Sequence, residues 1–322
     1  MAQLSVQNEN DYEDLLGLWA DLESGLSVVL GSPDSVLEFE SRICQYGRWM
    51  QSLLQRDPDL GMYLLFQLAT NSSAGYSASH ALICTVLCQL IADELQLAPG
   101  EYNSLVRAAL TMNIGMTRLQ DQLALQTEKL SPEQSEAIRN HGIKGQQLLT
   151  KLGISDALWL GIVADHHGEG ADDTELRMLT PDQRLTRILR VVDRYAAMIS
   201  PRKSREGRSV TESVRSILST GSGNTDEVGH ALVRAVGMCP PGTYVQLEDK
   251  AVAVVTRRSS TPDLPHVAVV VDAQGTQLRR PFMLRTVNGS PRILKALAAS
   301  VLSLERHHHL VLQLGAQASQ QA

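Results

Sequence analysis

Val163-Ala164-Asp165-His166-His167 closes an apolar run and leads into a short, small-residue acidic segment, Gly168-Glu169-Gly170-Ala171-Asp172-Asp173. A pair of adjacent histidines is common on protein surfaces and means little alone. Its setting gives it weight: His80, His141 and Asp193 each fall within, or at the end of, a segment with helical spacing. Imidazole and carboxylate groups gathered from several helices are the donors of a metal site, so these five positions are read together as candidate ligands.

Working outward, the chain of 322 residues is long enough for two or three domains and a substantial core. Its 43% hydrophobic and 20% charged content is that of an ordinary globular protein, and with only 4% aromatics the core must be aliphatic. A net charge of -6 speaks against a general nucleic-acid binder. No apolar run approaches the roughly 20 residues that cross a bilayer. Met1-Ala2-Gln3-Leu4 does not open a signal peptide, so a cytoplasmic location away from membranes is expected. Cys44, Cys84, Cys88 and Cys239 are scattered and are read as free thiols; Cys84 and Cys88 lie one helical turn apart in an apolar segment.

Four regions follow from the punctuation. Residues 1–70 form an N-terminal helical region. Leu15, Trp19, Leu22, Leu26 and Val29 are spaced four, three, four, three, and Phe39, Ile43, Tyr46, Met50 and Leu53 repeat the pattern after Gly31-Ser32-Pro33-Asp34, where Ser32 or Asp34 can cap. A helical hairpin packed on the rest of the chain accounts for both stripes; a homodimer through these helices is the alternative, with fewer heptads than a dedicated coiled coil uses. Residues 71–239 read as helix after helix. Ala81 to Leu95 is apolar on most faces and is expected to be central. Ser131-Pro132-Glu133-Gln134 is a helix start with Ser at N-cap, Pro at N1 and Gln at N3. Ser155 is expected to cap the helix ending at His166-His167, and Pro181 opens the one carrying Arg187, Arg190 and Asp193. After Pro240-Pro241-Gly242, residues 240–290 hold short strands around Thr243–Leu247, Ala251–Thr256 and His266–Asp272. Residues 291–322 are expected to be a helix, with Ile293, Leu294, Leu297, Val301 and Leu304 on one face, and a tail.

The order of these segments resembles the HD-GYP branch of the HD-domain metal phosphohydrolases, which cleave cyclic di-GMP. Tyr76-Ser77-Ala78-Ser79-His80 is similar to the family's opening histidine segment. Leu130-Ser131-Pro132-Glu133 through Arg139-Asn140-His141-Gly142-Ile143-Lys144-Gly145 resembles "LTxEE…KxHPxxG". His166-His167 matches the double histidine, and Arg187 to Asp193 the "ARIlxvaD" helix. The resemblance covers roughly residues 57 to 255 and implies a mostly α fold: an HD-domain-like helical bundle with an N-terminal helical region and a small C-terminal β extension.

Two departures bear on chemistry. The family's "HDIGK" reads Met112-Asn113-Ile114-Gly115-Met116, and the "ERxDGxGYP" loop after the double histidine is replaced. In the family the aspartate of the HD pair bridges metals that activate water for in-line attack on phosphorus. Asn113 has the shape without the charge, Met112 offers a thioether that suits soft metals, and Met116 removes a cation expected to face phosphate. The resemblance therefore leaves His80 and Asp193 at one metal position and His141, His166 and His167 at another, enough for a single divalent Zn, Fe or Mn. Asp165, Glu169 or Asp172 is a candidate replacement carboxylate. Arg202, Lys203, Arg205 and Arg208 form a basic stretch whose default reading is a solvated loop; the alternative is a phosphate or nucleotide contact, for which Arg202 is the candidate because it resembles an arginine that follows the aspartate helix in the family.

Taken singly, His80 or His141 reads as a hydrogen-bonded helix residue, and Asp193 as a salt-bridge partner of Arg190 or Arg194. The expected function is a bacterial signalling protein, impaired as a phosphodiesterase and acting by binding cyclic di-GMP or a protein partner. The alternatives are a working phosphodiesterase with substitute ligands and a metal-free interaction module.

Overall fold

In the computed structural model, the structure describes residues 9–71, 75–168, 174–200, 210–218, 227–259, 264–286, 290–297, 310–311 and 313–315. Among these residues are eleven α-helices followed by five strands.

Helices α1 (Glu9–Gly31) and α2 (Phe39–Arg56) turn both apolar stripes inward: Leu15, Trp19, Leu22, Leu26 and Val29, with Phe39, Ile43, Tyr46, Met50 and Leu53, are all buried in the main core. Full burial of each large aliphatic side chain stabilises by about 1.5–3 kcal/mol. The stripes are thus spent inside the chain, and a dimer through these helices would have to use their other faces. Neither Ser32 nor Asp34 caps α2. Its N-cap is Glu38, in a left-handed conformation, while Asp34 pairs with Lys151 at 3.0 Å. Asp57 caps α3 (Pro58–Asn71), accepting from the Leu60 amide at 3.0 Å.

Helix α4 (Tyr76–Glu94) is the central element, buried on nearly every face and touching α1, α3, α5, α6, α9 and α11. Around it stand α5 (Pro99–Thr111), α6 (Thr117–Leu125), α7 (Pro132–Lys151), α8 (Ala157–Asp165) and α9 (Pro181–Ile199), then α10 (Val210–Leu218) and α11 (Glu227–Val236). The expected capping box opens α7: Gln134 N donates to Ser131 Oγ at 3.1 Å, and Ser131 N to Gln134 Oε1 at 3.0 Å. At α8 the cap is Asp156 rather than Ser155; its Oδ1 accepts from Trp159 N at 3.0 Å and its Oδ2 from Ser104 Oγ at 2.8 Å. Asp156 prevails because its two oxygens cap α8 and fasten it to α5 at once.

The five strands form one antiparallel sheet in the order β4-β3-β2-β1-β5: β1 (Tyr244–Leu247), β2 (Val252–Arg257), β3 (His266–Val271), β4 (Gln277–Arg285) and β5 (Ile293–Leu297). One face encloses a small cluster around Val245, Ala253, Val255, Val267 and Val269, while Val254 and Ala268 on the other join the helical core. The sheet is held to α3 by Arg257, which pairs with Asp57 and Asp59, and by Arg258 on Asp59 at 2.6 Å. At the boundary Gly242 has φ +91°, and a Cβ there would lie 2.9 Å from Tyr63 O, so the close approach needs glycine. The helix expected from residue 291 is a correction: Ile293–Leu297 is strand β5, paired with β1. Five residues with apolar groups at both spacings fit either element, and β1 offered an open edge. Among the described residues no helix is long and apolar enough to cross a membrane.

Candidate metal centre

His80 sits in the second turn of α4, almost wholly buried. No local residue caps that helix. Asp121 of α6 does so instead, its Oδ1 accepting from Ser77 N at 2.7 Å and its Oδ2 from Ser77 Oγ at 3.0 Å. Ser79 donates to the buried Glu23 carboxylate at 2.6 Å, and the Tyr76 ring stacks on the imidazole of His80 at 5.5 Å. The start of α4 is therefore fixed from α1 and α6. The Nδ1 of His80 is buried, with no hydrogen-bond partner among the described residues.

His141 and His166 are brought together by glycines. A Cβ on Gly142 would lie 2.5 Å from Ala164 O and 2.9 Å from Val163 O, so α7 crosses the end of α8 at backbone contact. Gly115 presses in the same way on His141 O, at 2.4 Å from its ideal Cβ, and on Gly145 N at 2.7 Å. The Met112–Met116 segment is thereby seated against the turn that carries His141.

The result is an edge-on pair, with the two ring planes at 74°. His141 Nδ1 lies 2.5 Å from Ile138 O and His166 Nδ1 2.8 Å from Val163 O, so each ring donates its Nδ1–H to a carbonyl. Their Nε2 atoms then stand 3.0 Å apart. In the neutral rings both of these nitrogens carry lone pairs, which repel unless a cation lies between or beside them. Burial disfavours a proton as that cation: it lowers the pKa of His141, and with the nearby His167 it lowers that of His166 to about 3. A divalent metal fits. His167 completes the group, with one ligating atom from each of the three histidines within 4.8 Å of the others. Its side chain is exposed, which leaves one side of the centre open to solvent.

Asp193, on α9, faces this group and His80 at once. Its Oδ1 is 2.7 Å from His80 Nε2, and its Oδ2 3.9 Å from His167 Nε2. Burial alone would raise its pKa, but the hydrogen bond and charge of His80, with His166 and His167, hold the carboxyl well below the usual range. The arginines of α9 go elsewhere. Arg187 donates to Thr174 O at 2.6 Å and Arg190 to Gly168 O at 2.7 Å, so α9 holds both flanks of the segment after the double histidine.

The five expected donors thus lie close together in two groups, His141, His166 and His167 in one and His80 and Asp193 in the other, with Asp193 facing both. The second group holds a residue that the sequence alone does not single out: Cys84 Sγ lies 3.6 Å from His80 Nε2, and His80, Cys84 and Asp193 form a set of ligating atoms within 4.8 Å. In a helix that is apolar on most faces a cysteine reads as core. The signal available was its place one turn after His80. Burial raises the Cys84 thiol pKa well above its ordinary value.

Met112, at 1% exposure, belongs to the hydrophobic core, whereas Asn113 and Met116 are half-buried. Asp165 is exposed at the end of α8. Arg202, Glu169 and Asp172 lie outside the described residues.

The HD-domain profile matches residues 64–226, half of the chain and every donor named above. The chain belongs to the HD-domain family. Within it, a cyclic di-GMP phosphodiesterase of Pseudomonas aeruginosa is 26% identical over 215 residues, 66% of this chain and 52% of that relative. The chain spans about half the length of the curated relative it matches. Among solved structures, an HDG"Y"P protein from Bdellovibrio bacteriovorus is 16% identical, with a TM-score of 0.48 over 69% of this chain and 70% of that one. Membership of the HD-domain family is what the resemblance carried by His80, His141, His166-His167 and Asp193 implied.

Proposed function

We propose that this HD-domain chain is a signalling protein that binds cyclic di-GMP at a metal held by His141, His166 and His167 and hydrolyses it poorly. The observation that carries the reading is the Nε2 pair of His141 and His166, preset by two backbone carbonyls as metal donors inside a chain whose HD aspartate is Asn113. A divalent metal there supplies Lewis-acid charge to a phosphodiester.

The residues of the chain do the rest. His141 and His166 would fill two coordination positions of that metal from the buried side, and exposed His167 marks the side from which a phosphodiester enters. Asp193 stays ionised and orients His80. What is missing is charge at the reacting phosphate: Asn113 is neutral, Met112 is spent in the core, and Met116 cannot donate to a phosphate oxygen. Losing one such stabilising contact costs on the order of a hundred- to thousandfold in rate. Binding survives such losses better than turnover, because they act mainly on the transition state. A role in the cytoplasm, with binding read out by a protein partner, follows from this reading.

The test is calorimetric titration of cyclic di-GMP into the metal-loaded and chelator-treated protein. Metal-dependent binding that His166→Ala abolishes is expected; binding indifferent to metal and to His166 would overturn the reading.

A further inference from the structure

Cys84 is the one donor in the pocket that the reading above leaves unused. It lies one turn beyond His80 on the same face of α4, with Asp193 entering from α9. Tetrahedral zinc, with Zn–S of about 2.3 Å and Zn–N of about 2.0–2.1 Å, requires its sulfur and nitrogen ligands to lie roughly 3.6 Å apart. Cys84 Sγ and His80 Nε2 are 3.6 Å apart. An oxygen and a nitrogen on the same ion stand roughly 3.3 Å apart, so the 2.7 Å between Asp193 Oδ1 and His80 Nε2 has only to open slightly once the hydrogen bond between them is replaced.

We propose that Cys84 supplies a thiolate ligand at the metal position that the family resemblance gives to His80 and Asp193, beside the three-histidine group, and so suits that position to zinc. The proposal deepens the reading above, on which it rests for the presence of metal in the pocket. It also answers the question that reading leaves open. Two divalent cations held close together repel unless anionic ligands share their charge, and Asn113 no longer supplies one. A thiol deprotonates outright when it ligates a metal. Cys84 therefore brings into the centre a negative charge of the kind that Asn113 does not supply. Asp193 stands between the two groups, with Oδ1 towards His80 and Oδ2 towards His167.

The protons balance. The Cys84 proton leaves to solvent as the sulfur–metal bond forms, and the His80 ring proton moves from Nε2 to Nδ1. That nitrogen has no hydrogen-bond partner among the described residues, so an orphaned lone pair is exchanged for an orphaned N–H. A thioether, thiolate or imidazole environment of this kind favours zinc over manganese.

The test is cobalt(II) reconstitution of the whole chain after chelator treatment, in a background with His307→Asn, His308→Asn and His309→Asn, which removes the consecutive histidines of the C-terminal region as adventitious ligands. The parent is expected to bind two cobalt ions and to show thiolate-to-cobalt charge-transfer absorption in the near ultraviolet. Cys84→Ser should lose that absorption and one ion, while Cys88→Ser, one turn further along α4, keeps both. His166→Ala should lose one ion and keep the absorption, which separates this site from the three-histidine metal. No charge transfer in the parent, or charge transfer that survives Cys84→Ser, overturns the proposal. Should Cys84→Ser not fold, X-ray absorption fine structure on the unmutated zinc protein decides. A sulfur neighbour at about 2.3 Å is expected, and nitrogen and oxygen neighbours alone would refute it.

Discussion

His141 and His166 meet Nε2 to Nε2 at 3.0 Å, each ring turned that way by its Nδ1 contact to a carbonyl three residues earlier in its own helix. Two buried lone pairs at that distance store repulsion that a bound cation relieves. The pair is built by sequence-local bonds within each helix and by a non-local crossing at Gly142.

The first prediction is linkage of metal to stability. A ligand that binds only the folded state stabilises by about 2.7 kcal/mol at a free concentration one hundred times its Kd. Zinc added to the chelator-treated protein should therefore raise Tm by several degrees, and His166→Ala should show a clearly smaller rise. An equal rise in both proteins would separate the metal from His166.

The glycine crossing gives a contrast within one pair of helices. Gly142→Ala drives a methyl group into Ala164 O and Val163 O and should cost about 1–3 kcal/mol, the usual range for overpacking. It should also weaken metal retention, since His141 moves with its neighbour. Gly161→Ala, on the partner helix α8 but with open space at its Cβ, should be neutral or stabilising by about 0.5–1 kcal/mol through helix propensity. Denaturant titrations of both variants check this; equal costs would mean that the crossing is not the constraint.

How much of this was legible in sequence depended on whether the deciding contact was local. The stripes of α1 and α2, Pro132 at N1 and the Ser131–Gln134 box are written within a few residues and could be read directly. The cap of α4 could not, because Asp121 lies 44 residues away from Ser77. Ser155 and Asp156 are both competent caps, and the Ser104 hydroxyl and Arg107 guanidinium beyond them favour the second. Ile293 to Leu297 suits a helix or a strand by spacing, and its pairing with Tyr244 to Leu247 was a tertiary choice. Strand β4 hid for a related reason: Arg279, Arg280 and Pro281 mask its alternation, and proline is tolerated because β4 is an edge. At the site, the order of the histidines was informative, whereas Cys84 was concealed among the apolar residues of its helix.

The non-local cap makes a prediction of its own. Asp121→Ala removes the acceptor for Ser77 N and Oγ and should cost about 0.5–2 kcal/mol, the range for a lost N-cap. Since His80 lies three residues on, metal stoichiometry or affinity should fall as well. Chemical denaturation with elemental analysis measures both, and an unchanged midpoint would contradict the assignment.

Restoring the lost pair tests the family correspondence of Met112 and Asn113. Met112→His with Asn113→Asp puts an imidazole and a carboxylate where the family pattern has them. Because Met112 is buried in the core, the metal-free double variant should be less stable than the parent, by roughly 1–3 kcal/mol for a shape change in a packed site. Metal should recover that loss and be held more tightly than in the parent. A double variant that folds but gains no metal affinity would show that these positions do not face His80 and Asp193. Activity should rise mainly when Met116→Lys is added.

The central claim is a site that has kept its metal donors and lost its catalytic charge. It is tested most directly by measuring the linear product formed from cyclic di-GMP by the manganese- or iron-loaded protein. The account predicts turnover far below about one per second, the lower end of ordinary enzyme rates. Turnover at about one per second or faster, abolished by His166→Ala, would contradict it and make this chain a working phosphodiesterase with substitute ligands.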